Sequence, residues 1–241
     1  MIFTGLRNSL RTSKTKHIKL GVMPHETITP NLLLQAYANG IFPMSEDRED
    51  KELFWVDPDF RGIIPLDQFH IPRSLKKAVK KTPFRVTTDE AFREVVKACS
   101  MPARGRETTW ISERIEAMYE DLHQRGFAHS IECWKGDELV GGLYGVSLGA
   151  AFFGESMFSK RTNASKIALV YLVARLKKAG YSLLDSQFIT EHLKQFGAVE
   201  IAREEYHQLL TEALHAPHPD YFALSEEEPA SGILQLITQT S

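Results

Sequence analysis

Cysteine is scarce in this 241-residue chain: Cys99 and Cys133 stand far apart and form no CxxC pair, so a disulfide framework and a thiolate metal site are both excluded. That scarcity fits a reducing cytoplasm, with both thiols expected as small core residues. Long hydrophobic runs are missing too. Lys or Arg interrupts every apolar stretch, as at Ile167 to Leu176 ahead of Lys177 and Lys178, so no transmembrane span is expected. The basic N-terminus (Arg7, Arg11, Lys14, Lys16, Lys19) lacks a following apolar segment, which argues against a secretory signal. The 9 histidines are scattered without metal-like spacing, and Cys133 has no evident His and Asn partners; neither a metal site nor a covalent intermediate is expected.

Charge of one sign is absent locally. Residues 1–20 contain 5 basic residues and no acidic ones, and His70 to Thr88 contains 6 from Arg73 to Arg85, again with no acidic residue. From Thr190 onward, 9 acidic residues face 2 basic ones. The basic half suits phosphate and the acidic tail does not; solvated helix faces and a flexible tail are the plainer reading.

What is present fits an ordinary globular chain. Hydrophobic residues at 43% and charged residues at 25% exclude disorder, and the length allows one large domain or a main domain with a smaller companion. Residues 1–25 show no periodicity and read as an arm. Thr29, Pro30 and Gly40 bracket a short helix at Asn31 to Asn39, ahead of a charged loop at Glu46 to Glu52. Pro72 to Lys81 reads as a helix with Leu75, Ala78 and Val79 inward. Phe84 to Thr87 reads as a strand, Asp89 as the cap of a helix through Ala98, and Ser112 to Arg125 as a helix closed by Gly126. Three strands come next, Ala128 to Lys135, Glu138 to Leu148 and Ala150 to Phe158, with Gly136-Asp137 as a turn. Then come a helix at Ala164 to Ala179, a strand at Tyr181 to Ser186, a helix at Glu191 to Phe196, a strand at Val199 to Ala202 and a helix at Glu204 to Leu214. This order predicts an α+β fold whose C-terminal part is N-acetyltransferase-like (GNAT-type), with a central sheet that splays to admit an acyl donor, beside a smaller N-terminal α/β domain. The divisions expected are 1–25 arm, 26–110 smaller domain, 111–215 GNAT-like domain and 216–241 acidic tail.

Two positions carry chemistry. Glu155 lies among apolar neighbours on a strand, where an unpaired charge is costly, so it either binds an amine or sits in a structural ion pair. Alternation puts Asp185 and Gln187 on one face where a strand emerges. The Gln carbonyl, oriented by Asp, is placed to accept or relay an amine proton; an Asp–Gln cap on the next helix is the alternative. His129, on an alternating strand, reads as a hydrogen-bonded structural histidine.

Eight segments, in order from about Asn31 to Tyr206, resemble the leucyl/phenylalanyl-tRNA-protein transferase family: Ala36 to Pro43 (AYANGIFP), Phe69 to Ser74 (FHIPRS), Thr109-Trp110-Ile111, Ala128 to Glu132 (AHSIE), Leu139 to Val146 (LVGGLYGV), Gly154 to Ser159 (GESMFS), Asn163 to Lys166 (NASK) and Asp185-Ser186-Gln187. The resemblance implies transfer of Leu or Phe, with Met as a further candidate, from aminoacyl-tRNA to the N-terminal residue of a protein, which creates a degradation signal. The expected enzyme is a cytoplasmic monomer with no cofactor and no membrane; its partners are Leu-tRNA, Phe-tRNA and proteins with an exposed N-terminus. The aminoacyl side-chain pocket falls on Leu143, Phe152, Met157, Leu169, Leu172, Leu176 and Leu184. Glu155 anchors the aminoacyl end or the terminal ribose, Tyr37 and Trp110 pack around the terminal adenosine, Asp185 and Gln187 meet the reacting amine, and Arg73, Lys76, Lys77, Lys80 and Lys81 meet acceptor-stem phosphates.

The chain departs from the family's pattern N-terminally. Lys19 to Pro24 stands where a glycine-rich segment is usual, Met44 where Trp is frequent, and Trp55-Val56-Asp57 where a Trp-Trp-Ser run is usual. Relatives typically modify Arg or Lys, and these departures leave Asp or Glu acceptors open. Two alternatives are an acetyl-CoA-dependent acetyltransferase, disfavoured because Ser159 to Asn163 holds no phosphate-cradling glycine, and a non-catalytic tRNA-binding module, which leaves Glu155, Asp185 and Gln187 without purpose.

Overall fold

A computed structural model describes residues 16–18, 28–45, 48, 54–81, 83–102 and 109–238. The expected arm over 1–25, except its strand at 16–18, and the charged loop over 46–52, except Arg48, lie outside the described residues.

Helix α1 (Pro30–Ala38) begins where Thr29 accepts a hydrogen bond from the Leu32 N–H and stops at Gly40, whose φ of 73° carries the chain into its next strand. A small sheet orders β1 (Lys16–Ile18), β3 (Phe54–Asp57) and β2 (Phe42–Met44), all antiparallel. The large mixed sheet has seven strands. Its hairpins β6 (Ala128–Lys135), β7 (Glu138–Leu148) and β8 (Ala151–Ser159) form its middle, and β9 (Leu183–Gln187) is parallel to β8 through the crossover helix α5 (Ala164–Ala179). β4 (Phe60–Ile63) and β10 (Val199–Ala202) extend one side, and β5 (Arg85–Thr88) closes the other. Two of these seven strands, β4 and β5, therefore precede the boundary expected near residue 111.

Helices cover both faces. On one lie α1, α3 (Phe92–Ser100), α4 (Glu113–Gln124) and α7 (Arg203–His215), burying Tyr37, Val95, Tyr119 and Tyr206. On the other lie α2 (Arg73–Lys80), α5, the single-turn α6 (Glu191–Lys194) and α8 (Ala230–Thr238), around Leu75, Leu172, Leu193 and Ile233. The acidic tail is thus partly a folded helix, with Ile233, Leu234 and Ile237 buried. Asp89 is a further correction. The helix after it caps at Ala91, while Asp89, at φ 61°, accepts the Ser130 N–H at 2.7 Å and pairs with His129 Nδ1 at 2.7 Å. His129 is accordingly hydrogen-bonded, and it stacks on Tyr221.

Two irregularities shape the centre of the sheet. β8 and β9 pair only from Ala151↔Leu183 to Phe153↔Asp185, and then separate. Along β8 the register with β7 passes from Gly145↔Gly154 to Tyr144↔Ser156, leaving Glu155 as an extra, bulged residue. The bulge lets Phe153 and Glu155 face α1 and α4 while Met157, opposite Leu143, faces α5. Gly145 makes room for it, since a Cβ there would lie 2.3 Å from the Phe153 carbonyl oxygen.

Candidate active site

Where β8 and β9 part, Glu155 is almost completely buried, yet among the described residues it has no salt-bridge partner. Its carboxylate is held by hydrogen bonds instead. Tyr37 OH donates to Oε1 at 2.7 Å, Tyr119 OH to Oε2 at 2.8 Å, and Gln187 Nε2 to Oε1 at 3.1 Å, while the two phenol oxygens lie 2.6 Å apart. Burial pushes the Glu155 carboxyl up to about 7, against the lowering effect of the two phenols. Burial also raises both tyrosines, so they remain neutral donors.

Asp185 sits behind this group, fully buried. Arg61 grips it from β4, with Nε at 3.0 Å from Oδ1 and a terminal nitrogen at 2.6 Å from Oδ2; Tyr206 OH donates to Oδ2 at 2.7 Å and the Gln187 N–H to Oδ1 at 2.7 Å. Arg61 in turn donates to the Gly40 carbonyl at 2.9 Å and lies between the rings of Phe42 and Tyr206. Burial opposes its charge, and Asp185 and Tyr206 overcome that cost, leaving the guanidinium cationic. Both Asp185 oxygens are thus occupied, and the carboxylate holds the turn to Gln187 through its backbone N–H. Gln187 has a φ of 56°, a costly conformation for a non-glycine residue, at a bulge where Gly62 pairs with Gln187 and Ile63 with Asp185. With Nε2 committed to Glu155, the Gln187 amide presents Oε1 as its acceptor. The Asp–Gln pair does not cap α6, whose N-terminus is capped by Thr190.

An apolar cavity of about 50 Å³ opens beside Glu155, Asp185 and Ser186. Of the expected pocket residues, Leu143, Met157, Leu169, Leu172 and Leu184 line it; Phe152 and Leu176 are buried in the same core but outside the lining. A wider groove of about 690 Å³, flanked by Lys97, Trp134, Lys160 and His192, shares Met157 with the cavity. Burial lowers the His192 imidazole to about 4, so it is neutral there.

The remaining expected residues are placed differently. Tyr37, expected beside the terminal adenosine, is fully buried and bonded to Glu155. Trp110 is half-buried, its carbonyl accepting the Ser45 hydroxyl at 2.6 Å. Arg73, Lys76, Lys77, Lys80 and Lys81 are all exposed on or just beyond α2, which buries Leu75 and Val79. Among the described residues no group of three His, Cys, Asp or Glu could hold a metal ion, and no helix is long and apolar enough to cross a membrane.

Sequence reasoning missed Arg61, Tyr119 and Tyr206. Arg61 carried a usable signal, a lone cation in the apolar run Phe60-Arg61-Gly62-Ile63-Ile64, which demands a buried anion. Tyr119 and Tyr206 look like ordinary core aromatics from periodicity alone.

Chemically, the site offers a carboxyl with neutral donors around it, a fixed amide oxygen and an apolar cavity at one mouth. Comparison with known proteins adds to this geometry. Residues 63–211 match the family model described as Leucyl/phenylalanyl-tRNA protein transferase, and residues 26–59 match the model of that family's N-terminal domain. Curated relatives named leucyl/phenylalanyl-tRNA--protein transferase include one from Maricaulis maris, 57% identical over 209 residues, covering 87% of this chain and 96% of the relative. Another, from Phenylobacterium zucineum, is 56% identical over 214 residues with the same coverage, and one from Rhodospirillum rubrum is 55% identical over 188 residues, covering 78% and 88%.

Proposed function

Since this chain belongs to the leucyl/phenylalanyl-tRNA-protein transferase family, and is thus an aminoacyltransferase that moves an amino acid from tRNA to protein, we propose that the reaction takes place where β8 and β9 separate, between Glu155 and Gln187. The observation that carries this reading is the 3.1 Å contact between those two side chains, of which Glu155 lines the apolar cavity. The donor's Leu or Phe side chain enters the cavity among Leu143, Met157, Leu169, Leu172 and Leu184, with Phe152 and Leu176 supporting it from the core. About 50 Å³ is well below the roughly 150 Å³ of a cavity that accepts benzene, so the lining must give, and the unbranched Met157 is the side chain best suited to move. Glu155 anchors the aminoacyl end, Trp110 lies along the terminal adenosine, and the cations of α2 meet phosphates of the acceptor stem. The separated parallel strands are the feature by which the C-terminal part is assigned to the GNAT type, with the segment before residue 111 as a companion that lends it β4 and β5.

Peptide-bond formation here needs positioning more than strong catalysis. The aminoacyl ester is already activated, and an α-amino group with a pKa of about 8 is partly neutral at cellular pH. The acceptor's amine attacks the ester carbonyl while Gln187 Oε1 accepts a hydrogen bond from its N–H and aligns it; the C–N bond forms, the C–O bond to the tRNA 3′ oxygen breaks, and the proton the amine loses ends on that oxygen as the free 3′ hydroxyl. Asp185, held by Arg61 and Tyr206, fixes the backbone that aims Gln187. The enzyme works as a cytoplasmic monomer, without metal or covalent intermediate, and the added Leu or Phe marks its substrate for degradation.

Transfer of radiolabelled leucine from Leu-tRNA to peptides that differ only in their N-terminal residue tests this. Label on Arg or Lys peptides is the expected result, and label on Asp or Glu ties the N-terminal departures to a changed acceptor site. No transfer to any peptide overturns the reading.

A further inference from the structure

The oxygens of Tyr37, Tyr119 and Glu155 form a closed set of three contacts, at 2.6, 2.7 and 2.8 Å, and each is short enough to require a proton between its atoms. The two phenols supply two protons. If Glu155 is a carboxylate, two protons serve three contacts: with both on the carboxylate the 2.6 Å phenol–phenol contact is left as lone pairs in apposition, and with one phenol donating to the other a phenol oxygen faces the carboxylate without a proton. The side-chain N–H of Gln187 relieves nothing, since it already donates to Oε1. A third proton closes the set: the carboxyl donates to one phenol, that phenol to the other, and the second phenol back to the carboxyl.

We propose that Tyr119 is a positioning residue which, with Tyr37, holds Glu155 in a ring of three O–H···O bonds, and that in the free enzyme this ring includes a protonated carboxyl. The groups around it agree. Tyr144 on β7 packs edge-on against Tyr119 and carries no charge, Asp185 on β9 disfavours a second nearby anion, and Arg61 on β4, the one cation facing the site among the described residues, is taken up by Asp185. Burial acts in the same direction, holding the carboxyl's pKa near neutrality.

The consequence rests on the proposed anchoring role of Glu155. When the donor's α-ammonium arrives, one of its N–H groups takes the place of the carboxyl proton, which leaves to solvent. A neutral ring and a cation become a carboxylate, an ammonium and one released proton, and charge balances. The donor thereby exchanges its ammonium for a proton rather than meeting an empty anionic hole.

Infrared difference spectra of the full chain, wild type minus Glu155→Gln, read the proton directly through the C=O stretch of a protonated carboxyl. The expected result is one such band at neutral pH, absent from the variant and lost as the pH rises further. Tyr119→Phe keeps the aromatic packing but opens the ring, so the one remaining phenol can satisfy the carboxylate without a third proton and the band should be lost at a pH lower by on the order of one unit; an upward shift, the effect of merely losing a donor to the charged form, would overturn the ring. Wild-type protein labelled with carboxyl-13C glutamate gives the same titration by NMR, should Glu155→Gln fail to fold. A Glu155 that is ionised down to about pH 5, as a free glutamate would be, overturns the ring. If Glu155→Gln abolishes transfer while Glu155 is ionised at that pH, the ring fails and the anchor stands. A proton held at neutral pH with transfer unimpaired in Glu155→Gln gives the reverse.

Discussion

Single side chains decide this site through what they already hold. Gln187 has one amide hydrogen bond committed to Glu155, and in the proposed reaction that leaves Oε1 as the atom for the acceptor amine. Gln187→Ala should therefore lower kcat on the order of 100-fold, the size expected when a proton-handling group is removed, while the affinity for Leu-tRNA measured by filter binding stays close to wild type. Normal turnover would remove Gln187 from the reaction. Leu172 acts by volume, because it lines a cavity that is already small. Leu172→Phe should shift donor preference from Phe towards Leu by at least about tenfold in kcat/KM, the low end expected for one methylene's worth of apolar fit, and equal effects on both donors would place the side chain elsewhere.

Elements act through faces and edges. Helix α2 turns Leu75 and Val79 inward and four lysines outward on or just past its last turns, so its cations can be changed without disturbing the core. Replacing Lys76, Lys77, Lys80 and Lys81 by Ala should weaken tRNA binding and flatten its log–log salt dependence by roughly one unit for each phosphate no longer neutralised; an unaltered slope would move the phosphate-binding surface off this helix. Helix α8 contributes differently. It inserts Ile233, Leu234 and Ile237 against α5 and α2, and each buried side chain is worth about 1.5–3 kcal/mol before ordering costs are set against it. A chain ending at Pro229 should melt several degrees lower in a thermal scan, and an unshifted melting point would make α8 an appendage. Its apolar spacing is overshadowed in the sequence by the acid-rich residues before it, which is why the segment reads as a tail.

The whole molecule pays for its buried acid at high pH. Glu155 has its carboxyl raised from 4.5 to about 7, so the folded state binds the extra proton in that window and its stability falls as pH rises through it. The difference in unfolding free energy between Glu155→Gln and wild type should therefore climb in the variant's favour between those two values and level off above them. Urea titrations at a series of pH values measure it, and a flat difference would mean that Glu155 titrates alike in both states. Much of the molecule is legible from local order. Thr29 and Ser112 cap helices, Gly40 and Gly180 end them, and alternation and period mark the strands and α5, because those signals depend on neighbours within a few residues. The sequence also puts Glu155, Asp185 and Gln187 forward, since a carboxylate in an apolar run has to be explained. It does not say what satisfies them. Arg61 meets Asp185 across 124 positions, Tyr37 meets Glu155 across 118, and the bulge at Glu155 reverses the facing that strict alternation assigns to Met157. Caps and periods are written into the chain itself, whereas hydrogen-bond partners, the separation of β8 from β9 and the volume of the cavity exist only once distant strands are packed, because each is set by distances that no local residue controls.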